Sequence, residues 1–426
     1  MSKRLAKLAL ASGTIVSPGF AFAQSIGASS SIVIDPQLER DDVAGARIEP
    51  AFQPGPIHIG PLFAQTGLSI VTGYDSNVFN RPQARSDAVL ILAPRLMLKT
   101  DLSRHDLSFA AVGGFRRFAR QQSENSEEFE LQGKGRLDLA QGRQVLASIG
   151  YSQEIEPRSS AGSVANAAEP VSFRRFASEV GARLQLGALR LVPKAGLRQT
   201  DFAPLEFADG GAANQSFRDM RTIQGDLSIE YDFTGLVSGF ASGSVSDVDS
   251  SDAPVEQRRD SRSYSVLVGA RGDLTSVIFG EIGVGYQARH YKSARYRDFE
   301  GATFRADVQW YVTPLMTLRF QAGRTFENSG NPLVAGILSD KATISAYYDP
   351  FRNLRISLSG TYDHNKYREV DTRALRTSAS LQAQYLVNST VSVGAYASFL
   401  HQNVSGQPIV NEFTSFGAGV GMTLAL

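Results

Sequence analysis

The five histidines are the side chains best suited to acid–base catalysis or to activation of a nucleophile, and their positions argue against both roles. They are His58, His105, His290, His364 and His401. On a strand, the neighbours Asp363 and His364 project to opposite faces and cannot form a hydrogen-bonded dyad directly. No Gly-x-Ser-x-Gly motif, phosphate loop or metal-ligand spacing accompanies them. We therefore expect no enzymatic activity, no metal and no cofactor.

Arginine and lysine suggest a different chemistry, because many of them alternate with apolar residues and so share one face of a strand. If the apolar stripes contact lipid, this basic face points into a lumen, where it can attract anions and bind carboxylates. We expect fewer acids on that face. The alternative is that acids and bases pair into ladders that only solvate and stiffen the wall. The candidate lumen-lining residues are Arg95, Lys134, Arg136, Arg183, Lys194, Arg198, Arg271, Arg305, Arg319, Arg355 and Arg376.

The elements that would position these side chains are strands of about ten or more residues with alternating polarity, running from Gly67 to Leu426. About eighteen such strands can be counted, with sixteen as the second choice. A soluble β-sandwich shows the same alternation. Aromatic residues at the strand ends and an N-terminal leader favour a membrane. We predict an all-β fold, a transmembrane antiparallel up-and-down β-barrel.

The connections between the predicted strands alternate between tight turns, such as Gly187-Ala188, and long polar loops, such as residues 156–170. Outer-membrane barrels have short periplasmic turns and longer external loops, so both ends of the barrel should lie in the periplasm. Residues 24–66 contain scattered prolines and a charge cluster, and should form a short irregular segment. This segment is either a periplasmic tail or a stretch that enters the barrel.

The N-terminus has the features of a secretory signal peptide over residues 1–23. A basic stretch from Ser2 to Lys7 precedes an apolar run, and Ala21-Phe22-Ala23 is a small-x-small cleavage site. The 426 residues carry 43 Lys plus Arg against 42 Asp plus Glu, which argues against nucleic-acid binding. No cysteine is present, which excludes disulfides and thiolate metal sites. We expect secretion through the inner membrane and residence in the bacterial outer membrane.

A family resemblance appears where the stretch from Ile57 to Phe63 leads into the first long strand. The signature is Tyr74-Asp75-Ser76-Asn77-Val78-Phe79, in which Tyr74, Asp75, Asn77 and Phe79 match the pattern. In these residues the chain resembles the putative beta-barrel porin type 2 family, whose members often accompany exopolysaccharide loci. The resemblance implies an outer-membrane barrel and polysaccharide export. From the residues themselves, Asp75 and Asn77 could form Asx-type turns that end the strand.

The last strand should close the barrel by pairing with residues 67–75, because pairing removes both exposed edges. Its end, Gly421-x-x-Leu424-x-Leu426, resembles the terminal signal that the barrel-assembly machinery recognises. The expected partners are therefore this machinery, outer-membrane lipid and lipopolysaccharide, and periplasmic components of polysaccharide export. We expect a channel for hydrophilic solutes, with polysaccharide export first. A diffusion porin for small anionic or neutral solutes and a plugged structural barrel are the alternatives.

Overall fold

Alternating apolar and polar residues build long antiparallel strands, and each barrel strand pairs with the next one along the chain. The structure is a computed structural model that describes Ala44 and residues 50–102, 104–139, 142–164, 167–207, 210–250 and 253–426. The predicted signal peptide lies outside the described residues. Within them, no helix is long and apolar enough to cross a membrane.

Eighteen long strands form one closed antiparallel barrel, as predicted, and three short strands flank it. The strands are β1 (Ile57–Ile59), β2 (Leu62–Asp75), β3 (Asp87–Thr100), β4 (His105–Phe118), β5 (Ser126–Asp138), β6 (Arg143–Ile155), β7 (Ser172–Leu186), β8 (Leu189–Phe202), β9 (Leu205–Glu206), β10 (Ala212–Ala213), β11 (Met220–Asp232), β12 (Val237–Asp249), β13 (Ser261–Asp273), β14 (Ile278–Tyr291), β15 (Phe299–Thr313), β16 (Met316–Asn328), β17 (Gly336–Phe351), β18 (Leu354–Tyr367), β19 (Thr372–Leu386), β20 (Val391–Gly406) and β21 (Phe413–Ala425). The short strands are β1, β9 and β10. β1 pairs with the start of β2, and β9 pairs with β10 inside one loop.

The barrel closes between β2 and β21, in register from Gly67 opposite Ala425 to Asp75 opposite Gly417. This pairing confirms the predicted closing seam. On the inner face of the seam, the hydroxyls of Ser69 and Thr423 lie 2.9 Å apart and share a hydrogen bond. Because both edges are paired, no long strand is left with unsatisfied backbone groups toward lipid.

The tightest turns lie at one end of the barrel, and the longer loops, together with the short connection at residues 368–371, lie at the other. The turn between β7 and β8 shows how tight the short ones are, since Gly187 has φ 65°, a conformation that favours glycine. Both ends of the barrel sequence lie on the short-turn side, as predicted. This side is the periplasmic side in outer-membrane barrels.

Three strands are longer than the sequence indicated. The alternation of polarity predicts a start at Gly67 for β2, a start at Lys341 for β17 and an end at His401 for β20. In the structure β2 begins at Leu62, β17 begins at Gly336 and β20 ends at Gly406. At β17 the reason is burial on both faces, since all residues from Gly336 to Ser339 are buried. Such a segment shows no alternation of polarity, which is the feature that predicts where a strand begins and ends.

The outer face is apolar and carries exposed aromatic side chains in two belts. Tyr231, Phe233, Trp310, Tyr348 and Tyr385 lie near the short-turn end, and Tyr74, Tyr151, Tyr286, Tyr362 and Phe416 lie near the loop end. Belts of this kind mark the two membrane–water interfaces of a transmembrane barrel. The outer face therefore contacts lipid, and the inner face encloses a lumen.

Candidate channel and its loop cap

The candidate basic residues all lie on the inner face of the barrel. Residues directly opposite each other on paired strands project to the same face. Once the inner face of one strand is known, the register therefore identifies the inner face of each neighbouring strand around the barrel. The positions are Arg95 on β3, Lys134 and Arg136 on β5, Arg183 on β7, Lys194 and Arg198 on β8, Arg271 on β13, Arg305 on β15, Arg319 on β16, Arg355 on β18 and Arg376 on β19. Their role in transport stays a prediction.

Most of these cations hold carboxylates, and all of those but Arg136, which pairs along β5, do so across strands. Arg271 contacts both Glu230 and Glu281, and Arg305 contacts Glu281 as well. The other inner pairs are Arg319 with Asp307 at 2.7 Å, Arg136 with Asp138 at 3.4 Å, Lys194 with Glu179 at 3.6 Å, and Arg376 with Asp363. The structure thus contains the salt-bridge ladders that the sequence left open as an alternative.

The inner face carries more acids than the alternation of polarity assigned to it. Asp106, Glu154, Glu327 and Asp363 also lie there, in addition to the acids placed from the sequence. These residues lie toward the strand ends, where the stripe of alternating polarity fades, so the pattern did not assign them to a face. The wall is therefore close to balanced in charge along much of the ring.

A few inner cations make no hydrogen bond or ion pair with any described residue. Arg95, Lys134 and Arg198 are in this group, as is Lys341, which the sequence reading did not single out. Arg183 donates to the side-chain oxygen of Gln144 at 3.2 Å. The inner cations that lack a close carboxylate therefore lie on β3, β5, β8 and β17.

The family signature ties the closing seam together at the loop end of the barrel. The Asn77 backbone N–H donates to Asp75 Oδ1 at 2.8 Å, which confirms the predicted Asx turn. The Asn77 amide also donates to the carbonyls of Arg81 and Thr414, at 2.7 and 3.0 Å. Ser415 Oγ donates to Asp75 at 2.8 Å. These contacts join the end of β2 to β21, and Asn77 is only 1% exposed.

The other signature residues face different surroundings. Tyr74 is 51% exposed on the outer face. The Phe79 ring packs against the guanidinium groups of Arg81 and Arg158, at 5.5 and 5.6 Å from the ring centre. Burial and the nearby Arg158 lower the pKa of Arg81. The signature therefore connects the seam to the loops above the lumen.

One loop, residues 156–171 between β6 and β7, reaches across the lumen, and we call it the crossing loop. The hydroxyl of Tyr367 donates to the Ala161 carbonyl at 2.8 Å, and Arg376 donates to the Ser159 carbonyl. Tyr367 and Arg376 lie on the inner face of β18 and β19, which are on the opposite side of the ring from β6 and β7. The crossing loop therefore spans the loop-side mouth of the barrel.

The far end of the crossing loop packs into a small apolar core. Ala161 lies with Val334, Ile337, Tyr367 and Ala374 in a cluster whose members are at most 9% exposed. The crossing loop also meets the loop of residues 329–335 closely, since a Cβ on Gly330 would lie 1.9 Å from the Gly162 carbonyl oxygen. Only glycine permits this approach.

Buried arginines join the surrounding loops into what we call the loop cap, residues 119–125, 156–171, 203–219, 250–260 and 329–335. Arg158 holds Glu124, and Arg218 holds Glu156 through two hydrogen bonds of 2.6 and 3.0 Å. Arg259, 2% exposed, donates to the carbonyls of Ser329 and Asn331 at 2.6 and 2.7 Å. Burial lowers the pKa of Arg259. Buried pairs of this kind are costly to break singly.

A small pocket lies between the crossing loop and the last loop, residues 407–412. Its lining includes Phe79, Arg158, Val171, Asn411 and Phe413. It lies within the loop cap region rather than along the barrel wall, so it belongs to the closure of the mouth.

The histidines near the loop end lie on the outer face. His290 contacts Asp298 at 3.0 Å, His401 contacts Thr414 at 2.9 Å, and His364 lies opposite Asp340. Asp363, in contrast, faces inward to Arg376, so it and His364 do project to opposite faces. Among the described residues, no group of three or more His, Asp or Glu side chains is placed to hold a metal ion.

The residues of the predicted assembly signal lie on the closing seam. Leu424 is on the outer face opposite Leu68, and Gly421 is on the inner face, where an added Cβ would lie 2.8 Å from Val71. The Leu426 backbone exchanges two hydrogen bonds with Thr66, of 2.8 and 2.9 Å. Recognition of these residues by the assembly machinery stays a prediction.

Comparison with known proteins decides the family. The family model described as Putative beta-barrel porin 2 matches residues 49–425, nearly the whole described chain. The chain belongs to this family. Membership in Putative beta-barrel porin 2, together with the closed barrel and its lipid-facing belts, places the protein in the outer membrane. No curated protein matches the sequence significantly.

Solved structures similar to this member of Putative beta-barrel porin 2 include several outer-membrane receptors. A mutant of the ferric enterobactin receptor PfeA from Pseudomonas aeruginosa has 8% identity and a TM-score of 0.44, over 88% of this chain and 81% of that one. The copper transporter OprC has 10% identity and a TM-score of 0.47, over 87% and 81%. The siderophore receptor PirA from Acinetobacter baumannii has 8% identity and a TM-score of 0.43, over 85% and 80%.

Proposed function

We propose that this barrel is a channel that carries hydrophilic solutes across the outer membrane without catalysis. The observation that carries the proposal is the inner wall, which is lined by charged and hydroxyl side chains while the outer face is apolar. A polar lumen behind a lipid-facing exterior is the arrangement of water-filled barrels. The protein would arrive there after removal of a signal peptide ending at Ala23.

For the substrate, we propose polysaccharide exported from the periplasm. Support comes from the family resemblance and from the chemistry of the wall, where hydroxyl and amide groups such as Ser148, Ser152 and Gln144 stand among paired charges. A hydroxylated polymer can exchange hydrogen bonds with such a wall without being held at one site. Periplasmic export components would supply the polymer, since the barrel itself offers no energy source.

The crossing loop favours a second candidate, a porin for small solutes. With Ser159 and Ala161 anchored on the far wall, the mouth is divided, and small anions or neutral solutes would pass more readily than a polymer. Export of a polymer would then require the crossing loop to leave its anchors. The two functions therefore differ in whether the crossing loop must move.

The deciding experiment combines gene deletion with conductance. If polysaccharide is the substrate, the deletion strain should lose surface polysaccharide and accumulate it in the periplasm, and the wild-type gene should restore export. Unchanged surface polysaccharide together with a persistent conductance of purified protein in planar bilayers would favour the small-solute porin. No conductance, even after deletion of residues 24–63, would favour a plugged structural barrel and overturn the channel proposal.

A further inference from the structure

We propose that the outer face of β18 and β19, at the loop end, binds the phosphate groups of a phosphorylated glycolipid in the outer leaflet of the membrane. Lys366 and Arg373 form the site and lie directly opposite each other on the two strands. The proposal rests on the orientation given above, in which the long loops face the cell surface. It does not depend on which solute passes through the lumen.

Both cations point away from the lumen. Their neighbours along the strands, Asn365, Tyr367, Thr372 and Ala374, face inward and are at most 5% exposed. Because successive side chains on a strand project to opposite faces, Lys366 and Arg373 must lie on the outer face, and both are exposed there.

Two like charges directly opposite each other on a sheet destabilise it unless something of opposite charge lies between them. Neither Lys366 nor Arg373 makes a hydrogen bond or an ion pair with a described residue. The acid on the adjacent strand, Asp340, is already occupied by Arg324 through two hydrogen bonds of 2.5 and 2.9 Å. Lys366 and Asp340 still attract each other at longer range, but Arg324 holds both carboxylate oxygens, so the pair keeps a net positive charge at the membrane surface.

Two other outer-face cations at this end of the barrel have acid partners of their own. Arg262 holds Asp247 at 2.7 Å, and Arg117 holds Glu127. These pairs show that an outer-face cation of this barrel can have an acid beside it where the cation is not needed to bind a ligand. At Lys366 and Arg373 no acid lies directly opposite, and the nearest one across the strands, Asp340, is held by Arg324.

The surface beneath the two cations fits acyl chains. Leu358, Tyr362 and Leu381 lie on the same outer face toward the membrane centre, and they are 52%, 49% and 46% exposed. Lys366 is four residues beyond Tyr362, or about 13 Å along the strand. An anionic head group above a hydrophobic column is the shape of a phosphorylated glycolipid, and a free phosphate would make no use of the apolar part.

The test measures binding of purified lipid A to the detergent-solubilised barrel, by native mass spectrometry and by the shift in unfolding temperature. Two cations near an anionic lipid surface should contribute about 30-fold in affinity together, so K366Q/R373Q should lose about that factor. K366R/R373K, which keeps both charges, should bind as the wild type does. R262Q, which removes a cation already paired with Asp247, is the matched control and should change binding less than twofold.

Three results would overturn the assignment. The first is equal binding by K366Q/R373Q and R262Q. The second is equal binding of dephosphorylated lipid A, and the third is stabilisation by inorganic phosphate as strong as that by the lipid, which would make the ligand a free anion. In the absence of lipid, K366Q/R373Q should be at least as stable as the wild type, because it relieves the repulsion between the two cations; a loss of lipid binding is then not a loss of folding. Conductance should not change in any of them, so failure here and failure of the channel proposal are distinguishable.

Discussion

The hydroxyl of Tyr367 should control how often the crossing loop leaves the mouth of the barrel. Tyr367 lies on the inner face of β18 and donates to the Ala161 carbonyl at 2.8 Å. In Tyr367→Phe the ring remains packed against Ala161 and Val334, so the change removes the hydrogen bond and little else. Arg376 still holds Ser159, and the loop should therefore loosen without unfolding.

The size of the effect follows from burial. Tyr367 is 5% exposed and Ala161 is 7% exposed, so water does not readily replace the lost donor. A buried carbonyl left without a partner costs about 1–3 kcal/mol, which raises the ratio of released to anchored loop by about 5- to 150-fold. If release of the crossing loop opens the path, the open probability of the channel should rise by a factor in that range.

Single-channel recording in planar bilayers measures this directly. The matched control is Tyr362→Phe, which removes the same hydroxyl from the same strand on the outer face, where Tyr362 is 49% exposed. This control should change the open probability less than twofold. Equal open probabilities in Y367F and Y362F would refute the view that the loop anchor on β18 closes the mouth.

Three further outcomes follow from other contacts. Asn77→Ala removes the buried amide that joins β2 to Thr414, and it should lower the free energy of unfolding of the barrel by about 1–3 kcal/mol. The barrel should then lose its heat-resistant mobility in gels at a lower temperature. The control, Asn403→Ala on the exposed outer face, should leave that temperature unchanged. Arg259→Ala removes the donor to the Ser329 and Asn331 carbonyls and should make residues 329–335 accessible to protease, with Arg262→Ala as the control that stays resistant. Burial alone would raise the pKa of the Asp260 carboxyl, but hydrogen bonds from Ser250 lower it. The stabilisation that the charged carboxylate gives this loop is therefore present above the ordinary carboxyl pKa of about 3.9 and is lost as the pH falls through the lowered pKa. Hydrogen exchange at the Ser250 amide should speed up in that acid range, and D260N should lose this pH dependence.

The barrel could be predicted because its determinants are local. Alternation along each strand decides which face meets lipid, and this held for the last strand, whose predicted pairing with residues 67–75 is the observed seam. The signature also acts locally, since Asp75 and Asn77 form the turn that their side chains favour.

The loop cap could not be predicted because its contacts join residues far apart in sequence. The hydrogen bond from Tyr367 to Ala161 spans 206 residues, and that from Arg376 to Ser159 spans 217. Nothing in the polarity of residues 156–170 distinguishes a loop in solvent from one laid across the lumen. For the same reason, the alternation in β19 predicts that Arg376 faces the lumen but does not predict its contact with the crossing loop.

Charge pairing in the wall bears on what the channel can conduct. Arg271, held by Glu230 and Glu281, has little charge left for a passing anion, and the same is true of Arg319 beside Asp307. The cations without described partners, Arg95 and Lys134 among them, stand on strands spaced around the ring. An anion in the lumen would thus meet several separated, weak sites instead of one deep one. If the barrel conducts as proposed, it needs binding that is strong enough for entry and weak enough for release. A wall in which most cations are paired and a few lack a close carboxylate fits both conditions.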